Sequence, residues 1–459
     1  MWDIRLAICV AVSAALLAVA TLIILALWFA GFPAFKSDGI VSAATLFDLL
    51  KLAFAVVAGI GGAIALVVAY RRQRVTEAAN RIAEFSNSLA KAADERAEAT
   101  RILAEAADER ARAAEARSDL EVERNGVRLL NERFAKAAEQ LGSDKAAVRL
   151  AGVYSMAGLA DDWIQGRQTC VDVLCGYLRM PYGGSDSKND EEFGQERQVR
   201  RTVLRVVASR LTEQADVRWD GLTFDFTGAV VEDGDLTRLR LDSGTRLIFR
   251  NATVTGNTFN LTSACFRNGL LDFTDAKISA TVALSHARLC GGKVTFERAR
   301  MKDVPSLAGT QVDSGSLIFE SAKFSTTSIN VGYYLSGGML HIKGGRVSFA
   351  SAEIKTRYYL SVAVRMSGGE LDFSFADFTA KRFSMHESAI SGGLINFEFA
   401  KLEVESIDFT KMELSGGLID MSKVWKWPAP PVTEDARIGG SEFLTLPGPD
   451  WQFENEPPF

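Results

Sequence analysis

The sequence predicts a multi-domain membrane protein: an N-terminal α-helical transmembrane hairpin, a long coiled-coil helix, a small α-helical adaptor and a C-terminal four-sided β-helix. Three observations carry this expectation. Two long uncharged runs lie near the N-terminus, a proline-free heptad pattern follows them, and one phrase recurs every 23 to 24 residues through the C-terminal half. The expected divisions are residues 1–74, 75–141, 142–214, 215–424 and a C-terminal cap and loose tail at 425–459. With 459 residues, a formal charge of −5 and 47% hydrophobic content, the chain is neither disordered nor strongly polyanionic.

Leu6 to Gly31 and Leu52 to Tyr70 carry no charge, and each run is long enough to cross a hydrocarbon core of about 30 Å as a helix. A cleaved signal peptide fits the first run poorly, since its apolar stretch is too long, Arg5 is its only basic flank and no A-x-A site follows. Arg71, Arg72 and Arg74 directly after the second run orient the hairpin by the positive-inside rule. Both termini are then cytoplasmic, residues 32–50 lie outside, and the protein belongs to the cell membrane. Ala55, Gly59 and Ala63 at four-residue spacing suit either close helix packing or a plain lipid-facing surface. Five cysteines, Cys9, Cys170, Cys175, Cys265 and Cys290, form no disulfide framework, so free thiols are expected, as in the cytoplasm. Cys265 and Cys290 are expected to stack as small core residues one coil apart.

Behind the hairpin, counting sevens from Val75 meets Ile82, Leu89, Arg96, Leu103, Arg110 and Arg117. Counting from Ala78 meets Phe85, Ala92, Ala99, Ala106, Ala113 and Leu120. AADERAEA at Ala92 repeats as AADERARA at Ala106, two heptads on. A helix of about 65 residues would reach roughly 100 Å. The seam makes it a coiled coil, and the protein a homo-oligomer, although arginine at three seam positions also fits a lone solvated helix.

Gly142 is placed to end this helix and Ser143 or Asp144 to cap the next, whose apolar positions are Val148, Leu150, Val153, Met156 and Leu159. Val171 to Leu178 and Val199 to Leu211 supply two more helices across a polar linker, Gly183 to Gly194. The last helix is expected to cap the open edge of the β-helix, and Trp425 and Trp427 the other end.

The recurring phrase reads LDF at Phe273 with Ala276, VTF at Phe296 with Ala299, LIF at Phe319 with Ala322, VSF at Phe349 with Ala352, LDF at Phe373 with Ala376 and INF at Phe397 with Ala400. Within a unit, Phe273, Ile278, Leu284 and Leu289 are about five apart, which excludes a helix and describes a coil with four short sides. Glycine pairs such as Gly291-Gly292 and Gly368-Gly369 mark one corner. About nine coils at about 4.8 Å each make a rod of about 40 Å. The 30-residue step from Phe319 to Phe349 breaks the rhythm and reads as a duplicated corner, GGRVSF from Gly344 to Phe349, looped outward.

The triplets Ala276-Lys277-Ile278, Ala322-Lys323-Phe324, Ala376-Asp377-Phe378 and Ala400-Lys401-Leu402 resemble the A-x-[LF] centre of pentapeptide-repeat proteins, which implies a right-handed, four-sided β-helix. The period here is longer than that family's. Upstream, Glu132-Arg133-Phe134, Glu139-Gln140-Leu141-Gly142-Ser143 and Val148-Arg149-Leu150-Ala151-Gly152-Val153-Tyr154 are similar in order to the segment preceding the repeats of actinobacterial membrane-anchored members.

The search for chemistry finds no G-x-S-x-G, no phosphate-binding G-x-x-x-x-G-K and no H-E-x-x-H. His286 and His386 share a phase but lie four coils apart, about 19 Å, too far to share a metal. No catalytic residue, cofactor or metal is expected, and scattered carboxylates read as a solvated face. Tyr333, Tyr334, Tyr358 and Tyr359 form two pairs on adjacent coils, either a partner-binding patch or the cover of a widened coil.

Three functions remain. One is a non-catalytic scaffold, tethered to membrane lipid and offering the rod to an unidentified protein. Another is an oligomeric membrane effector or pore with a sensing rod, for a stress or anti-phage response. The third, a DNA mimic that binds topoisomerase, needs a strongly negative rod, whereas Asp216 to Lys423 hold 24 acidic and 23 basic residues. The scaffold leads, and no nucleic-acid partner is expected.

Overall fold

The computed structural model describes residues 4–32, 42–182, 190–326, 329–331, 338–428 and 430–448. The chain divides into two compact units, Met1–Val122 and Glu123–Phe459. The division falls inside the predicted 75–141 element, because the last turns of that helix bury side chains and the earlier ones do not.

In the first unit, helix α1 spans Ile4–Phe29 and helix α2, Ala43–Leu141, begins with a second apolar stretch. Both are long and apolar enough to cross a membrane. Their apolar side chains face outward: Leu17, Leu22 and Leu66 are exposed. Farther along α2 the heptad residues Ile82, Phe85, Leu89, Leu103 and Leu120 are exposed as well, an apolar seam with nothing packed on it in the single chain.

The second unit opens with the end of α2, where Ala137 and Leu141 are buried. Helices α3 (Ala146–Asp162), α4 (Arg167–Arg179) and α5 (Asp190–Arg210) follow. Neither Ser143 nor Asp144 caps α3. Its N-cap is Lys145, whose N–H donates to the Ser143 hydroxyl at 3.2 Å. Helix α5 also begins earlier than its apolar pattern, taking Asp190 to Gly194 from the expected linker. Val153, Met156 and Leu159 of α3 are buried, as their spacing predicts. The ring of Trp163 meets Phe134 edge-on at 6.5 Å.

From Thr223 onward the chain is a parallel β-solenoid of about nine turns. Successive register partners Arg246, Leu270, Lys293, Ser316, Arg346, Glu370, Leu394 and Leu418 step by 24, 23, 23, 30, 24, 24 and 24 residues, the period of the phrase. The core is the inside of the coil. Phe226, Phe249, Phe273, Phe296, Phe319, Phe349, Phe373 and Phe397 form one continuous stack with ring centres 4.6 to 5.4 Å apart. The period of the phrase is thus the period of a buried ladder.

Each Phe opens a tight turn. The Ala276 N–H donates to the Phe273 carbonyl at 3.0 Å, with Asp275 between them at φ 60°. Where the residue before the Phe is Asp it tightens this corner: Asp272 accepts from the Thr274 N–H at 2.9 Å, and Asp372 from the Ser374 N–H at 2.9 Å. At the glycine corner the coils touch directly; a Cβ on Gly345 would lie 2.3 Å from the Gly315 oxygen.

The four-sided description holds for the middle coils, from Cys265 to Ile318, whose sides are two or three residues long; in the first coils Val230–Asp235 and Thr253–Asn260 already run through one corner, and the late coils depart from it altogether. There the strands Val364–Asp372, Asp377–Ser384, Ala389–Asn396, Lys401–Asp408 and Glu413–Asp420 each cover two sides. Only the two corners with tight turns reverse the chain. The glycine corner bends by irregular pairing around Ser367, and the strand continues through it.

GGRVSF is not the insertion. Arg346 to Ser348 pair in register with Ser316 to Ile318 as an ordinary side. The extra residues fall between Val331 and Leu340, since Ile329 and His341 are 12 apart where their partners Leu360 and Arg365 are five apart. Nor does the solenoid stop at 424: Arg437–Ile438 and Leu444–Thr445 pair onto Glu413–Asp420 as a further coil.

The first strand, Thr223–Asp225, is covered by the helices. The Gln168 side chain on α4 pairs with the backbone of Thr223, and buried Arg200 on α5 donates to the carbonyls of Tyr177 and Leu178, joining the two helices. The Arg200 guanidinium lies over the Tyr182 ring at 4.6 Å, and burial lowers its pKa against the pull of Glu196. Arg179 reaches Asp225 at 2.7 Å and Arg197 reaches Glu232 at 2.9 Å.

Candidate functional site

Tyr358 and Tyr359 both face solvent. Strict alternation would turn one of them inward, but Tyr358 sits in the bend between the strands Glu353–Thr356 and Tyr359–Val362, where alternation is interrupted and Leu360 takes the inward place. Their ring centres are 6.4 Å apart, and the Lys381 Nζ lies 5.9 Å from the Tyr358 ring centre. Tyr333 and Tyr334 lie outside the described residues.

A second aromatic pair escaped the sequence reading. Phe375 and Phe399 occupy the positive-φ position of successive tight turns, each at φ 56°, with ring centres stacked at 5.3 Å. Other coils use Asp275, Arg298 or Ser321 there. A bulky side chain in this region costs about 1 kcal/mol or more, and the core does not require it, since Phe373 and Phe397 already fill the inward places. Phe375 is 39% exposed, and the Lys423 Nζ lies 5.3 Å from the Phe399 ring centre. The signal is present in FSFA and FEFA, where a second aromatic falls two places after the core Phe.

The strand Asp377–Ser384 links the two pairs, starting two residues after Phe375 and passing Lys381 beneath Tyr358. One side of the late coils therefore has aromatic rings at both corners. Between them lies an ion-pair network: Lys323 to Glu353 at 2.7 Å, Lys401 to Asp377 at 3.6 Å and Lys401 to Glu403 at 3.1 Å. Hydrogen bonds from Lys323 and Lys355 hold the Glu353 carboxyl at about 2, well below its ordinary 4.5.

The remaining candidates are dispersed. His386 Nδ1 lies 2.6 Å from the Thr410 hydroxyl, and His286 occupies a turn at φ 59°. Among the described residues no three His, Cys, Asp or Glu side chains gather to hold a metal. Cys170 and Cys175 are buried among the helices, where burial pushes the Cys170 thiol up to about 11. Cys265 and Cys290 do not stack in the core. Cys265 pairs in register with Arg288, on the outward column, and Cys290 is half-buried beside Asp313 at 3.5 Å. The two aromatic corners and the ion pairs between them can bind by aromatic contact and charge. Comparison with protein-family models, curated proteins and solved structures finds no match to this chain.

Proposed function

We propose that this chain is a non-catalytic, membrane-tethered scaffold of the actinobacterial pentapeptide-repeat type. Helix α1 and the first part of α2 anchor it as a two-span hairpin with both termini in the cytoplasm. The heptad seam of α2 pairs copies of the chain as a coiled coil, and the solenoid presents its late coils to a protein partner. The observation that carries this reading is the pair of aromatic corners: Tyr358 and Tyr359 at one, Phe375 and Phe399 at the other, the latter held in a strained conformation that the core does not need.

The test is crosslinking and pull-down of the detergent-solubilised protein from its host. The Tyr358→Ser/Tyr359→Ser and Phe375→Ser/Phe399→Ser pairs are compared with deletion of residues 215–424, and Tyr333→Ser/Tyr334→Ser is run alongside. Truncating a central aromatic costs about 2 kcal/mol of binding or more, so a partner lost on deletion is also lost with at least one pair. If no pair matters, and liposomes holding the full chain pass ions while those with Gly59→Leu do not, a pore replaces the scaffold.

A further inference from the structure

Along the side of the solenoid that carries the Ala-x-apolar triplets, outward residues stack coil on coil in strict register. Lys277 pairs with Arg300, and Arg300 with Lys323, about 4.8 Å apart at each step. Like charges placed directly opposite across strands destabilise a sheet. In the later coils the same column carries both signs, Lys323 facing Glu353 and Lys401 reaching Asp377, with Glu353 and Asp377 side by side between them. The early coils carry cations alone, at Lys277, Arg300 and Lys323. They add a fourth cation, Lys302, two residues beyond Arg300, while Ser279 and Ser325 supply hydroxyls around it.

These residues line a shallow open surface over the strands of Ile278 and Met301, whose side chains turn into the core; among the described residues no carboxylate lines it, and Glu353 reaches only Lys323 at its edge. Among the described residues Lys277, Arg300 and Lys302 make no ion pair, although Arg298 on the neighbouring corner is taken up by Asp275 and Glu297. Over the rod as a whole acidic and basic residues nearly balance, 24 against 23 between Asp216 and Lys423. Four cations on three adjacent coils are therefore a local concentration and not a property of the whole surface.

We propose that this surface is a binding site for a phosphate-bearing ligand carrying several negative charges. Arg300, at the centre of the ladder, offers the fork of donors that matches phosphate oxygens, and Lys277 and Lys302 flank it as point charges, with Lys323, already paired with Glu353, at the edge. The ligand relieves the repulsion within the ladder, so binding and stability are coupled. The same chemistry is presented by a free polyphosphate and by a phosphorylated lipid headgroup.

The full chain in neutral detergent is titrated with inorganic tripolyphosphate and, separately, with mixed micelles containing a phosphatidylinositol bisphosphate. Saturable binding with a rise in the unfolding midpoint is expected in at least one arm, and the arm that responds identifies the source. Arg300→Glu lowers that affinity about tenfold or more, the loss of a charge-assisted hydrogen bond. It also raises the unfolding midpoint of the unliganded protein, because the new carboxylate faces Lys277 in register and removes its repulsion with Arg300. Arg437→Glu, at an exposed arginine on another side, leaves affinity unchanged. No binding in either arm, an unaffected Arg300→Glu variant, or an equal loss with Arg437→Glu would overturn the proposal.

Discussion

Gln168 meets Thr223 as a neighbouring strand would: its Nε2 donates to the Thr223 carbonyl at 2.8 Å, and its Oε1 accepts from the Thr223 N–H at 3.0 Å. A helix side chain thus satisfies both backbone groups of the first strand's edge, where unpaired groups would invite another chain. Gln168→Ala should cost about 1–3 kcal/mol in chemical denaturation, the price of leaving those groups unpaired. Thr223 should also lose hydrogen-exchange protection. A silent Gln168→Ala would mean that the helices cover the edge without sealing it.

The aromatic ladder sets the solenoid's core. Phe296 is fully buried between Phe273 and Phe319, with ring centres 5.0 and 5.1 Å away. Phe296→Asp should cost several kcal/mol by burying an unpaired carboxylate, and the strand signal in circular dichroism should fall. Glu297→Lys on the adjacent outward position should shift stability by less than about 1 kcal/mol. Equal effects would refute the register.

Acid should weaken the rod in a defined window. The Glu353 carboxyl is held at about 2, against 4.5 when unperturbed. A depressed folded-state pKa adds stability above the unfolded value, and that stability is lost as pH falls through the folded one. Asp272 contributes in the same sense: burial raises its pKa, but the Thr274 hydroxyl and N–H and the Arg250 guanidinium together hold it below the ordinary range. Unfolding midpoints should therefore hold steady above about pH 5 and fall between about 4.5 and 2, with a shallower fall in Glu353→Gln. A midpoint that does not change across this window would contradict the pairing.

Exposure of Ile82, Phe85, Leu89, Leu103 and Leu120 along one helix predicts self-association. A peptide spanning residues 75–141 should gain helicity as its concentration rises and sediment as an oligomer. Helicity independent of concentration would indicate a lone stalk.

Orientation is testable by fusion. A reporter joined after Phe459 should be active only as a cytoplasmic marker, since Arg71, Arg72 and Arg74 follow the second apolar stretch. An extracytoplasmic signal would invert the hairpin and place the solenoid on the other side of the membrane.

The apolar runs, the heptads and the Phe-x-x-Ala phrase determine by themselves where the helices and the solenoid lie. Each is a repeated local pattern, and in the solenoid every coil must offer the same inward column, Phe273 above Phe249 and below Phe296. Tertiary structure decided what periodicity does not encode. That Gln168 pairs with Thr223, 55 residues away, depends on how α4 meets an edge. That the extra residues fall after Val331 and not at GGRVSF depends on which strands pair, because both placements give the same spacing between Phe319 and Phe349. Both tyrosines face outward at 358 and 359 because a bend suspends the two-residue alternation, and Cys265 faces outward because its register partner is Arg288. Local sequence specifies which residues want burial; pairing between distant coils specifies which of them receive it.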